Sequence, residues 1–410
     1  MQLFESIMFG KITEAQKAAM KKGFAAAISA ADTEKSELDG KAHLSDNESV
    51  ESKTDLPSSH DKSLGEASEV LRINVHSESV EISNIRLFAL DEIDFTLLTR
   101  CTSLSLRKNL IHVLSPLPIK LANRLNELDF FDNKIKKVGD FFESALVETT
   151  VDDKVQWIKE PQCKPFSSLT KLDLSYNQIR VISGLDSLGD TLKELYLVEN
   201  KIKVIQGLGA LRNLELLELG GNHIREIGSG LENLVNLRQL WLGKNKIVSI
   251  GNSLRTLRSL ELLSLQANRI LLVEPECFTN EYHPSLRELY LSENGIRKIE
   301  NICLANLRTL DFSFNPIERI NEEVICCANM PILEEFWLTD GKISEWGEVQ
   351  KLAPFKETLR TVYLERNPIE QDRRYRNKVY LCLPFLEQID SWPVVNIADL
   401  EMDRKIERDK

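Results

Sequence analysis

What is missing from this sequence narrows it before anything present in it does. No apolar run approaches the ~18 residues that a membrane-spanning helix needs. The opening MQLFESIMFGKITEAQ has neither the apolar stretch and small-residue cleavage site of a secretory leader nor the arginines of a mitochondrial one. The seven cysteines are odd in number and contain no CxxC spacing, so a disulfide framework is not expected. Cys101, Cys303 and Cys382 fall among apolar neighbours and read as small hydrophobes in a reducing compartment. The adjacent Cys326 and Cys327 read as buried packing. An intracellular protein is expected, and nothing calls for a membrane.

Catalytic constellations are missing as well. The six histidines are dispersed, and there is no HExxH, no GxSxG, no glycine-rich phosphate loop and no Cys/His cluster. No metal, cofactor or enzymatic activity is expected. Positive charge is in deficit, with 52 Lys and Arg against 63 Asp and Glu, a net charge of −11. Nucleic-acid binders usually carry the opposite sign, because they neutralise phosphates. An acidic chain is better matched to a basic protein surface.

What is present is repetition. LTKLDLSYNQI, LKELYLVENKI, LELLELGGNHI, LRQLWLGKNKI, LELLSLQANRI, LRELYLSENGI and LRTLDFSFNPI share the template LxxLxLxxNxI. CTSLSLRKNLI and LNELDFFDNKI precede them, and LEEFWLTDGKI and LRTVYLERNPI follow, the former with Gly341 in place of the asparagine. Most asparagine-to-asparagine intervals are 21 to 26 residues, which is the leucine-rich-repeat period. The predicted fold is therefore an α/β solenoid of about 11–12 short repeats, with a parallel sheet on its concave side and a C-terminal repeat cap. Alternation within xLxLx buries both leucines and turns the x residues outward. The asparagine amide, both donor and acceptor, suits the buried turn.

The solenoid is expected over residues 71–393, with its cap at about 359–393. An insertion is expected at about 139–166, where Asn133 and Asn177 lie 44 residues apart. Residues 1–70 read as an N-terminal extension: an amphipathic helix of marginal stability over 3–30, then a Ser- and acid-rich stretch over 31–68 whose composition predicts disorder. Residues 394–410 read as a charged tail.

The outward residue between each pair of leucines runs Ser105, Asp129, Asp173, Tyr196, Glu218, Trp241, Ser264, Tyr290, Asp311, Trp337, Tyr363. Aromatic and acidic side chains dominate this row. Ser175, Gly220, Gly243, Ser292 and Ser313 form a row of small residues beside it. Contiguous exposed aromatics mark a binding surface, and the acids between them favour Lys or Arg on the partner. The competing reading is that the rings only stiffen the sheet, where aromatics are favoured anyway.

Toward the C-terminus, LEEFWLTDGKISEW and TVYLERNPIEQDRRYRNKVYLCLPFLEQID, together with the ordered repeats over about 95–393, resemble the leucine-rich-repeat regulatory subunits of protein phosphatase 1, the regulatory subunit 7 family. The resemblance implies a non-enzymatic subunit whose concave side grips the phosphatase catalytic subunit, as a monomer until it binds. It implies a cell-cycle setting and residence in nucleus and cytoplasm, and it leaves room for a third, inhibitor protein. Asp173, Tyr196, Glu218, Trp241, Asp311, Glu335, Trp337 and Tyr363 match the family's contact positions, and Tyr290 joins them on the same row. Tyr196 and Trp241 stand where the family more often has phenylalanine. Gly341 in place of asparagine suggests a looser turn. Within the insertion, Lys154, Val155 and Trp157 fit the basic/β-branched/aromatic pattern by which partners dock on this phosphatase as an added strand, although packing of Trp157 against the solenoid edge is the favoured reading. Two rivals stay open, a cytoskeletal or axonemal scaffold and a splicing-type ribonucleoprotein component. The latter needs basic patches, of which the concave row offers few.

Overall fold

The computed structural model describes residues 76–394 apart from 152–153 and 162. The helix expected over 3–30, the disorder expected over 31–68 and nearly all of the 394–410 tail lie outside the described residues. The chain forms two units, Met1–Asn74 with Asp91–Leu97, and Val75–Leu90 with Leu98–Lys410. The second holds the repeats.

Its sheet has fourteen strands, running from Ser79–Glu81 to Trp392–Pro393. Neighbours pair in parallel from coil to coil, and only the last pair, Gln388–Ile389 with Trp392–Pro393, is antiparallel. Three strands lie beyond the repeat template, the closing Trp392–Pro393 among them. Ser79–Glu81 pairs with Ser103–Ser105 ahead of the first motif, and Gln388–Ile389 continues the sheet into the cap. The register is that of the template, so Leu195, Leu217 and Leu240 align on consecutive strands. Both leucines of each motif are buried, as in Leu217 and Leu219 at 0% exposure. Each such burial contributes roughly 1.5–3 kcal/mol, and no coil achieves it without its neighbours.

Strands stop after three residues because the chain then turns through left-handed backbone. The residue before each asparagine has positive φ, as at Lys108, Tyr176, Glu199 and Lys244. Side chains there cost roughly 1–2 kcal/mol, and of these positions only Gly221 escapes that cost. The asparagine that follows stabilises the turn. Asn222 Oδ1 accepts the Ile202 N–H of the preceding coil at 3.0 Å, and its Nδ2 donates to Leu219 O in its own coil and Leu197 O in the preceding one. Asn245 Nδ2 donates in turn to Leu219 O, so each leucine carbonyl receives two amides. The same triplet repeats at Asn109, Asn133, Asn177, Asn200, Asn268, Asn294, Asn315 and Asn367.

Gly341 interrupts this ladder without loosening it. The Ile317 N–H that an asparagine at 341 would bind instead donates to Asn315 O at 2.8 Å. A Cβ at 341 would meet Asn367 Oδ1 at 2.8 Å, so the next coil's amide has closed over the gap.

The long interval before Asn177 is a single extended coil. Glu127–Asp129 pairs directly with Lys171–Asp173, and an antiparallel hairpin, Ser144–Val151 with Lys154–Pro161, leaves between them. Its base belongs to the core, where Phe141, Phe142 and Phe166 are buried against one another and against Phe130, with centroid distances of 4.9 to 5.9 Å. The outer strand is exposed along its length. Trp157, expected to pack against the solenoid edge, is 37% exposed and pairs across the hairpin with Glu148. The hairpin is tied to the solenoid through its inner strand, by Leu146 on Leu117 and Glu148 on Lys120, and Trp157 stands on the outer one.

All seven cysteines are free. Cys101 is buried as expected, whereas Cys303 and Cys382 are half-buried and Cys327 is exposed. The Cys326–Cys327 pair is thus not core. Adjacent residues in this turn cannot both face inward.

If the amide ladder carries the stack, Asn222→Ala should cost roughly 1–3 kcal/mol in urea unfolding, because it orphans the buried Ile202 N–H. Wild-type stability in that variant would show that the ladder is dispensable.

Candidate protein-binding face

The register places the sequence-selected residues in one row. Asp129, Asp173, Tyr196, Glu218 and Trp241 are consecutive Cα partners, and the row continues through Ser264, Tyr290, Asp311 and Trp337 to Tyr363. Strand spacing sets neighbours about 4.8 Å apart. Glu335 starts the strand Glu335–Trp337 and lies in the adjoining row. Lys154, Val155 and Trp157 are not part of this face and sit on the hairpin.

Four of the five aromatic residues carry their own polar partner two residues earlier, on the same side of the same strand. Tyr196 Oη donates to Glu194 Oε2 at 2.9 Å and Tyr290 Oη to Glu288 Oε2 at 2.7 Å. Trp337 Nε1 donates to Glu335 Oε2 at 3.0 Å, and Trp241 Nε1 to Gln239 Oε1 at 3.4 Å. Period-two geometry brings these pairs together. Their signal was legible as ELY, QLW, ELY and EFW, yet reading the outer row alone passed over Glu194, Gln239 and Glu288. Tyr363 lacks this arrangement, and its hydroxyl accepts Gln388 Nε2 of the cap at 2.8 Å. Burial and then the carboxylate neighbours hold the phenols of Tyr196 and Tyr290 above their ordinary range. Both remain neutral donors.

The row divides into two halves. In the C-terminal half the rings meet: Tyr290 and Trp337 have centroids 5.9 Å apart, and Trp337 and Tyr363 5.1 Å. Tyr290 and Trp337 lean over the intervening Asp311, which is only 4% exposed. Asp311 was expected to project into solvent. Its Oδ1 instead accepts the Ser313 N–H at 2.8 Å, the short turn that aspartate favours. Ser264, flanked by Trp241 and Tyr290, is fully buried, with its hydroxyl unpaired among the described residues.

In the N-terminal half the acids remain accessible. Asp173 is half-buried and accepts the Ser175 N–H at 2.8 Å. Its carboxyl is raised above the ordinary range by burial, with Asp129 adding repulsion. Glu218 is raised by burial and then by Asp173. The Glu218 carboxylate has no hydrogen bond or ion pair among the described residues. Tyr196 sits between these two acids, with Lys171 Nζ 5.5 Å from its ring centroid and 3.6 Å from Glu194. Carboxylates that repel each other on a partly desolvated surface favour an arriving cation. Among the described residues no group of three or more His, Cys, Asp or Glu is placed to hold a metal.

A leucine-rich-repeat family profile matches residues 161–275 and 285–401, more than half of the chain. The chain is 39% identical over 66 residues to protein phosphatase 1 regulatory subunit SDS22 of Schizosaccharomyces pombe, covering 16% of this chain and 20% of that protein. It is 34% identical over 131 residues to the protein phosphatase 1 regulatory inhibitor subunit PPP1R7 homolog of Arabidopsis thaliana, covering 31% of this chain and 33% of that protein. The chain thus matches a third or less of the length of these relatives. Among solved structures, a leucine-rich-repeat protein of Leptospira interrogans is similar at 25% identity with a TM-score of 0.51, covering 71% of this chain and 73% of its own.

The two kinds of acid should separate in denaturation. Asp311→Ala loses a buried backbone partner and should cost roughly 1–3 kcal/mol. Glu218→Ala, which removes a repelled carboxylate without a partner, should stay within about 0.5 kcal/mol of wild type. Equal losses would contradict this division.

Proposed function

This chain belongs to the leucine-rich-repeat family, and from that premise we propose that it is a non-enzymatic regulatory subunit of protein phosphatase 1. The outer face of its sheet grips the catalytic subunit, as a monomer before binding, in nucleus and cytoplasm, with room for an inhibitor protein as a third member. The observation that carries this reading is the single row from Asp173 to Tyr363, acids toward one end and a contacting aromatic trio toward the other. The names printed for the yeast and plant relatives supply the partner.

The division of labour follows from the geometry. Tyr290, Trp337 and Tyr363 have their polar tips occupied within the chain, so little desolvation cost remains when a partner covers the rings. Asp173 and Glu218 attract a basic group and set orientation, with Tyr196 and Trp241 flanking it. Asp311 and Glu335 hold the trio in position from below and beside it. The hairpin supplies a second contact. Val155 and Trp157 alternate onto one side of Lys154–Pro161, at 59% and 37% exposure. Among the described residues this strand pairs only with Ser144–Val151, which leaves an edge for strand addition.

Trp337→Ala with Tyr363→Ala should abolish co-purification of the phosphatase catalytic subunit while the melting transition persists, since buried aromatic anchors contribute roughly 2 kcal/mol or more each. Recovery of tubulin or dynein subunits in place of phosphatase would favour a scaffold. Acidification should also weaken the complex. Asp173 and Glu218 are ionised above their raised pKa values and lose charge as pH falls through them, earlier than ordinary carboxylates.

Val155→Ala with Trp157→Ala should lower phosphatase affinity by about tenfold without changing the melting transition. Unchanged affinity would confine binding to the sheet.

A further inference from the structure

The two margins of the sheet treat charge differently. On the margin where each strand begins, charges are paired between coils. Lys193 meets Glu215 at 3.0 Å, Arg238 meets Glu261 at 3.5 Å, Arg308 meets Glu334, and Arg360 meets Glu387 at 3.2 Å. Exposed pairs of this kind add little stability, but they leave that margin nearly neutral.

The opposite margin, just beyond the asparagine ladder, is not neutral. From Asn133 to Asn268 the residue after the asparagine donates its backbone N–H to the preceding coil, which aligns Lys134, Gln178, Lys201, His223, Lys246 and Arg269 on successive coils. Two residues further on, Lys136, Arg180, Lys203 and Arg225 form a second line, all of them exposed. Lys134 lies 3.9 Å from Asp132, and the exposed Glu226 follows Arg225 at the position that Val181 and Val204 hold in their coils. Arg180, Lys201, Lys203, Arg225, Lys246 and Arg269 have no ion pair among the described residues. In a chain of net charge −11 this concentration of one sign is out of character.

Aliphatic side chains stand among these cations. Val181, Val204, Val248 and Leu271 are 49%, 53%, 57% and 67% exposed. Arg180, Val181, Lys201, Lys203, Val204 and His223 line a groove of about 450 Å³. Cation and aliphatic share the coils at 178–181, 201–204, 246–248 and 269–271, whereas the coil between the middle two carries His223, Arg225 and Glu226.

We propose that this margin is a second docking surface, taking an extended, acidic protein segment whose Asp and Glu residues alternate with aliphatic ones. Charge complementarity selects an acidic occupant, and the interleaved valines and leucines select side chains that can bury apolar surface. A single-stranded nucleic acid would meet the cations but find only the His223 ring on which to stack its bases, where such sites generally provide several. The surface lies off the aromatic row, so both can be occupied together.

The test is fluorescence anisotropy on the full chain with a labelled peptide alternating Asp or Glu with Leu or Val. An otherwise identical peptide carrying Asn and Gln, and a labelled oligouridine, serve as comparators. The acidic peptide should bind, with affinity falling as salt rises, and both comparators should bind at least about tenfold more weakly. Lys201→Glu, Lys203→Glu and Arg225→Glu together should weaken the peptide by about tenfold or more, with melting and phosphatase co-purification unchanged. Val181→Ser with Val204→Ser should weaken it while leaving the salt dependence intact. Failure of the peptide to bind, equal binding of its Asn/Gln version, indifference to the charge reversals, or loss of aliphatic dependence would overturn the proposal. Tighter binding of oligouridine would reassign the margin to nucleic acid.

Discussion

At every coil the chain must reverse direction with its backbone buried, and one asparagine amide carries the donors and acceptors that this turn leaves unpaired. Asn222 is representative: its oxygen takes an N–H from the coil before, and its nitrogen supplies carbonyls of two coils. A hydroxyl is too short in donors for this, and a carboxylate has none. Because each amide links adjacent coils, spacing and register propagate along the stack from one turn to the next. Where the amide is absent, at Gly341, a local bond to Asn315 O and the closing-in of Asn367 keep the spacing.

Register is what turns a repeated sequence into a surface. Residues more than twenty positions apart become neighbours at strand spacing, and identical template positions form continuous lines. The line between the leucines carries aromatics and acids. The line two positions earlier supplies Glu194, Gln239, Glu288 and Glu335, which occupy the polar tips of the rings. The start of each strand pairs its charges, and the far side of the asparagines collects unpaired cations. One constraint on the turns therefore generates several surfaces of different chemistry.

The repeats, their strands, the buried leucines and the membership of the outer row were readable from spacing alone. Alternation on a three-residue strand leaves no freedom about which side chains face out, and eleven matches to one template leave little about which strands are adjacent. The cap was legible through YLERNP and LPFLEQID, although the role of Asp390, which accepts the Leu364 and Glu365 N–H groups at the end of the last repeat strand, was not.

Tertiary structure decided what depends on contacts between coils and on distance from the core. Asp311 and Glu218 occupy the same template position, yet Asp311 is covered by Tyr290 and Trp337, whereas Glu218 stays half-exposed beside a repelling carboxylate. Trp157 reads like a packing residue, but it stands on the outer strand of a hairpin that joins the solenoid through its inner strand. The cations beyond the asparagines are diluted in a net charge of −11 and become a stripe only when successive coils align them. Sequence periodicity determines the line on which a residue stands, because strand geometry is local. Its burial and its charge partners are set by residues in other coils, and only the stacked structure brings those within reach.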